Sequence, residues 1–162
     1  MHSKQKGNVG FTATVLELQK NLFNVFSEIG DYSKIDLIAE RNKKLITIQV
    51  KYAKVTNGIF TLPLRKCGPN GYKYTYSSSD IDWFAIYCPW NDQVYWISSE
   101  EACDFKSQLF FRLTPTKSGQ KIGCRFADDY KIDRLLRAVY VEHPIKKDDD
   151  GLQTATEMVS ES

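Results

Sequence analysis

Histidine and cysteine are scarce in this chain: 162 residues contain two His, at positions 2 and 143, and four Cys. Cys67, Cys88, Cys103 and Cys124 stand 21, 15 and 21 residues apart, with no CxxC pair. Structural zinc needs clustered sulfur and nitrogen ligands, and dithiol redox chemistry needs a close pair, so the spacing excludes both. The four cysteines read as reduced thiols. Also lacking are a run of about 18 apolar residues, which a membrane-spanning helix requires, and an apolar core in the opening MHSKQKGNVG, which a secretory signal requires. A soluble, cytoplasmic protein is expected.

Acidic residues are missing in two places. Positions 41–79 hold eight Lys or Arg and no Asp or Glu, and positions 105–127 hold five bases and no acid. The overall charge of +2 hides this, because five acids and no bases fall in residues 148–162 and the remainder carries +7. Two one-sign windows suggest a polyanionic partner, with a merely solvated basic face as the plainer alternative. What is abundant is core material: 42% of residues are apolar and 13% aromatic, enough for one packed domain over residues 1–147, with 148–162 as an acidic, disordered tail.

Along the chain, Phe11, Val15, Leu18 and Leu22 recur at helical spacing and predict a helix over 8–22. Strands are expected at 23–27 and 35–40, with a turn at 29–33 between them. Residues 45–52 alternate, placing Ile46, Ile48 and Val50 on one face and Thr47, Gln49 and Lys51 on the other, after a hairpin loop at 41–44. Residues 65–79, broken by glycine and proline, read as a long connection of the kind that serves binding. A second hairpin is expected from 81–88 and 93–97, giving at least five strands, and a last helix from 130–141, ended by His143-Pro144.

One constellation has a chemical reading. Asp36 begins a strand, and Gln49 and Lys51 share a face of the next. A carboxylate, an amide oxygen and the Val50 carbonyl are hard donors of the kind Mg²⁺ or Mn²⁺ takes, and a lysine beside them can orient water or meet phosphate charge. Phosphodiester hydrolysis needs both functions. As a bare pattern D-x(12)-Q-x-K is weak, and a surface lysine beside a hydrogen-bonding strand glutamine remains open.

The segments KGNVGF, YSKIDLIAE, LITIQVKYA, DIDWFAIYCPWNDQVYWIS and RLTPTKSGQKIGCRFADDY resemble the intron-encoded homing endonucleases with a PD-(D/E)XK core. The likeness covers residues 4–131 and is strongest to cyanobacterial members carried in group I introns of tRNA genes. It implies an α/β (α+β), restriction-endonuclease-like fold with a mixed central sheet of about five or more strands flanked by helices. It also implies a site-specific, Mg²⁺-dependent DNA endonuclease acting as a homo-oligomer. The family's aspartate, glutamine and lysine fall on Asp36, Gln49 and Lys51, but its first-helix glutamate falls on Phe11. That loss of a metal carboxylate predicts an inactivated variant, one that binds its target and cuts poorly or not at all; an ordinary core role for Phe11 is the alternative.

A subunit this small needs a partner copy to read a rare site, so a homodimer or homotetramer on double-stranded DNA is expected, pairing through the aromatic strands around Trp83, Phe84, Tyr95 and Trp96 or through the late helix. Arg65, Lys66, Tyr72, Lys73 and Tyr74 are expected against a groove, and Lys117, Lys121 and Arg125 on phosphates. For Tyr74 and Tyr76 a place in the sheet core is equally open. The main competing function is a non-catalytic, sequence-specific DNA-binding protein of the same fold, which Phe11 favours. An RNA-binding protein is disfavoured because no RNP-type pattern is present, and a junction-resolving or repair nuclease remains open.

Overall fold

The N-terminal helix begins a turn earlier than its apolar pattern predicts. In the computed structural model, which describes residues 1–28, 33–67, 73–105, 107–116 and 119–140 (66, 67, 73 and 74 by backbone only), α1 spans Ser3–Lys20. The His2 backbone N–H donates to Gln5 Oε1 at 3.0 Å and closes the first turn. Its buried stripe is Gly10, Thr14 and Leu18, with Phe11 and Val15 flanking it. Leu22 does not join them: it lies beyond the helix end at φ 63° and points to solvent, while Phe23 enters the core instead.

The remaining elements follow in chain order: β1 (Asn24–Ser27), β2 (Leu37–Arg41), β3 (Lys44–Tyr52), β4 (Val55–Thr56), β5 (Ile59–Pro63), β6 (Arg65–Cys67), β7 (Lys73–Thr75), β8 (Trp83–Cys88), β9 (Gln93–Ser98), α2 (Ser99–Cys103), β10 (Gln108–Arg112), a 3₁₀ turn at Ala127–Tyr130 and α3 (Ile132–Val139). A five-stranded mixed sheet runs β1-β2-β3-β8-β9, antiparallel throughout except for the central β3–β8 pair. That agrees with the expected mixed sheet. The last helix is shorter than the 130–141 expected: Tyr130 closes the 3₁₀ turn, and α3 runs from Ile132 to Val139. The acidic segment 148–162, His143 and Pro144, and most of the 29–33 turn lie outside the described residues.

Local chemistry explains the hairpins. β2 and β3 are joined by Asn42 and Lys43, both at positive φ, the backbone a two-residue turn of type I′ needs. Asn57-Gly58 repeats this between β4 and β5, at φ 51° and 70°. A β carbon on Gly58 would lie 2.8 Å from Thr114 Oγ1, so glycine is required there by space as well as by φ. The parallel β3–β8 register is pinned by Asp82, whose Oδ2 accepts from the Thr47 N–H at 2.7 Å and the Thr47 hydroxyl at 2.8 Å.

The sheet is buried on both faces along β8 and β9, whereas the face of β1–β3 that carries Phe26, Ile38 and Leu45 is exposed. One face carries Leu37, Ala39, Ile46, Ile48, Ala85 and Trp96 under α1 and α3. The other carries Phe84, Ile86, Tyr95 and Ile97 against a small β10-β5-β4 sheet that supplies Phe60, Leu62, Leu109 and Phe111. Phe60 stacks on Phe111 with ring centroids 5.0 Å apart. This second layer corrects one expectation. Trp83, Phe84, Tyr95 and Trp96 are all buried within the single chain and are not a pairing surface. The small sheet was not foreseen, and the 65–79 connection contains the two-stranded ribbon β6–β7. No helix among the described residues is long and apolar enough to cross a membrane.

Candidate active site

Phe11, Asp36, Gln49, Val50 and Lys51 line one open cavity of about 740 Å³, together with Ser3, Lys4, Gly7, Asn8, Ser27, Glu28 and Ile35. Three elements build it. Helix α1 contributes residues three and four apart, hence one face, and is seated closely on the sheet at Gly10: a β carbon there would lie 3.5 Å from Tyr87 Cβ and 3.7 Å from Val50 Cγ1. The end of β1 and the residue before β2 form one wall. Alternation along β3 puts Gln49 and Lys51 on the face opposite Ile48 and Val50.

Register brings Asp36 to Gln49. The last β2–β3 pair at this end is Leu37 with Ile48, and the Asp36 N–H continues the ladder to the Ile48 carbonyl at 2.9 Å. Asp36 Oδ2 then accepts from the Val50 N–H at 2.7 Å and from Gln49 Nε2. The Gln49 oxygen faces the other way and accepts from the Tyr76 hydroxyl at 2.7 Å, while Lys51 Nζ donates to the Tyr76 oxygen at 3.1 Å and lies 5.0 Å from its ring centroid. Lys51, Tyr76, Gln49 and Asp36 thus form one directed hydrogen-bond chain.

Tyr76 is a site residue that sequence reasoning did not assign. It is buried against Phe84 in an edge-on contact, as the core reading allowed, yet its hydroxyl joins two of the expected site residues. No local signal could mark it, since 25 positions separate it from Lys51. The loop bearing it is tied to the Asp36 turn: Lys34 Nζ meets Asp80 Oδ1 at 2.7 Å, and the Ser77 N–H meets Asp80 Oδ2 at 2.8 Å. Burial raises the Asp80 pKa, but the Lys34 and Ser77 hydrogen bonds outweigh it and hold the carboxyl below its ordinary range.

The residues lining this cavity include the carboxylates and amides a hard cation takes, with neither thiolate nor imidazole among them. Among the described residues no cluster of three His, Cys, Asp or Glu forms a complete metal cage. The amide of Gln49 turns its nitrogen toward Asp36, so a cation shared by both residues requires the amide turned over.

The expected DNA contacts are less gathered. Arg65 is exposed at the start of β6, and Lys66, Lys73 and Tyr74 lie on the same ribbon, where Arg65 pairs with Thr75 and Lys66 with Tyr74. Lys121 is exposed. Arg125 is engaged within the chain, 3.9 Å from Glu101 and 4.3 Å from the Phe105 ring centroid. Tyr72 and Lys117 lie outside the described residues. Cys88, Cys103 and Cys124 carry free thiols.

Comparison with known proteins gives these geometries a context. A family model described as PD-(D/E)XK endonuclease matches residues 1–133. Among solved structures, that of a bacterial homing endonuclease, I-Ssp6803I, superposes with a TM-score of 0.69 at 19% identity, covering 85% of this chain and 93% of that one. A structure of MepB aligns with a TM-score of 0.37 at 15% identity, over 75% of this chain and 87% of that one. No curated protein matches. The likeness to I-Ssp6803I shows the fold, a mixed α+β arrangement of the restriction-endonuclease type.

Proposed function

Because the chain belongs to the PD-(D/E)XK endonuclease family, we propose that it is a site-specific homing endonuclease that hydrolyses phosphodiester bonds of double-stranded DNA with Mg²⁺. The observation carrying this reading is the single cavity that holds Asp36, Gln49, Val50 and Lys51. Asp36, Val50 through its carbonyl, and Gln49 with its amide turned over would hold the cation, Mg²⁺ or Mn²⁺. When bound, that cation polarises water and neutralises charge developing on the phosphate.

The chain's own residues do the rest. Lys51, oriented by Tyr76, sets its ammonium beside the reacting phosphate and offsets negative charge as the fifth oxygen approaches. Lys4, on the α1 face of the same cavity, meets a neighbouring phosphate. Phe11 stands where the family resemblance places a glutamate, so one carboxylate is missing from the α1 wall and cleavage is impaired. Phe11 is half-buried against the α1 core, which makes its substitution a question of chemistry more than of folding.

Arg65, Lys66, Lys73 and Tyr74 on the β6–β7 ribbon, together with Tyr72 and the basic residues Lys117, Lys121 and Arg125, supply duplex contacts. A homodimer or homotetramer places one site on each strand. The protein is encoded within a group I intron and works in the cytoplasm, on the nucleoid.

The test is selection of a bound duplex from a randomised library, followed by cleavage of that duplex in Mg²⁺ by the native chain, Asp36→Asn and Phe11→Glu. Binding by all three, with cleavage lost in Asp36→Asn and enhanced in Phe11→Glu, supports the endonuclease. Binding by all three with no cleavage by any favours the second reading, a non-catalytic sequence-specific DNA-binding protein, for which Phe11 is the supporting feature.

A further inference from the structure

Position 11 leaves the cavity short of a carboxylate, and the sheet supplies one from another direction. In the β1–β2 pair the register runs Asn24 with Glu40, Val25 with Ala39, Phe26 with Ile38 and Ser27 with Leu37. Continuing that register one step past the ends of both strands sets Glu28 across from Asp36. In the β2–β3 pair the step beyond Leu37 and Ile48 sets Asp36 opposite Gln49. Glu28, Asp36 and Gln49 therefore form one cross-strand row at the open end of the sheet. Directly opposed residues project to the same face with β carbons about 4.5–5.5 Å apart. All three line the same cavity.

Glu28 is also held. Ser33 Oγ donates to Glu28 Oε2 at 2.7 Å and accepts from the Ile35 N–H at 3.1 Å, which fastens the glutamate to the turn that delivers Asp36. We infer that Glu28 is the second carboxylate of the cation site, replacing from β1 the group that α1 does not supply. The inference rests on the endonuclease reading and extends it: the site keeps two carboxylates, one amide and one carbonyl as oxygen donors, and retains the residual metal affinity on which impaired cleavage depends. A hydrogen-bond donor holding one oxygen leaves the other to the cation, the common arrangement for a ligating carboxylate.

The experiment measures Mn²⁺ binding to the DNA-free chain by the loss of the free Mn²⁺ paramagnetic signal. It compares the native protein with Asp36→Asn, Glu28→Gln, Phe11→Glu and the double variant Glu28→Gln/Phe11→Glu, with Glu100→Gln as a distant surface control and thermal melts as a check of folding. Glu28 is exposed, so its neutral replacement is expected to fold. Weakening of Mn²⁺ binding by about tenfold or more in Glu28→Gln, with recovery in the double variant, is the expected result. Native-like binding by Glu28→Gln beside weakened binding by Asp36→Asn overturns the role of Glu28 and leaves the endonuclease reading standing. Equal binding by native protein and Asp36→Asn overturns both.

Discussion

The Tyr76 hydroxyl donates to Gln49 Oε1 at 2.7 Å and accepts from Lys51 Nζ at 3.1 Å, so one buried phenol sets the orientation of two site residues. It also decides which end of the Gln49 amide faces Asp36. Replacing Tyr76 with Phe keeps the ring against Phe84 and leaves the buried Gln49 oxygen without that donor. A stability loss of about 1–3 kcal/mol is expected in a denaturant melt. Single-turnover cleavage falls by about 10–100-fold while duplex affinity is unchanged, because the residue acts through its neighbours. Equal cleavage by both proteins would remove Tyr76 from the site.

Position 11 offers a gain-of-function test. Phe11→Glu places a carboxylate on the α1 wall of the cavity and is expected to raise Mg²⁺-dependent cleavage by about tenfold or more. The lost apolar contact costs about 1 kcal/mol, which a thermal melt reads. No gain in cleavage, with duplex binding intact, would show that the lack of a carboxylate at position 11 is not what limits this chain.

Salt dependence separates phosphate contacts from internal ones. Lys121 is exposed, and Lys121→Ala is expected to reduce the slope of log affinity against log salt by about 0.9. Arg125 already meets Glu101 and the Phe105 ring, so Arg125→Ala is expected to cost about 1 kcal/mol of stability as well. Duplex titrations at several salt concentrations, run beside melts, distinguish the two. A duplex affinity insensitive to salt would count against the whole polyanion reading.

Glu17 provides a pH test outside the site. Burial lifts its pKa, only partly opposed by the Trp96 indole N–H donating at 2.8 Å and by Lys20. A raised carboxyl pKa means the folded state holds the proton more tightly than the unfolded chain, so the stabilisation is full below the ordinary value of 4.5 and is lost as pH rises through the raised one. Glu17→Gln keeps an oxygen for Trp96 and cannot ionise. Its stability relative to the native chain should therefore improve as pH climbs from 4 to 7. A constant difference across melts in that range would contradict the desolvation argument.

Much of the site was legible because its parts are local. Alternation over 45–52 placed Gln49 and Lys51 together, and the short hairpin before them brought Asp36 alongside. The Asn57-Gly58 turn between β4 and β5, and the small sheet it begins, were not foreseen. β10 pairs with β5 from nearly fifty positions away, and nothing in either run names its partner. Glu28 shows the boundary well: once β1 is paired with β2 its place opposite Asp36 is simple arithmetic, but the pairing itself is a tertiary fact.

What the sequence by itself determined is therefore the set of short-range choices: the helix and strand periods, the positive-φ turn at Asn42 and Lys43, the basic windows, and the shared face of Gln49 and Lys51. Those follow from backbone sterics and side-chain alternation, which act within a few residues. Tertiary structure alone decided that Trp83, Phe84, Tyr95 and Trp96 face inward, that Tyr76 joins Lys51 to Gln49, and that α1 and β1 close the cavity on Asp36. The physical reason is that each strand face is apolar or polar on its own account, whereas the surface it meets is chosen by how α1, α3 and the small sheet pack on the central sheet.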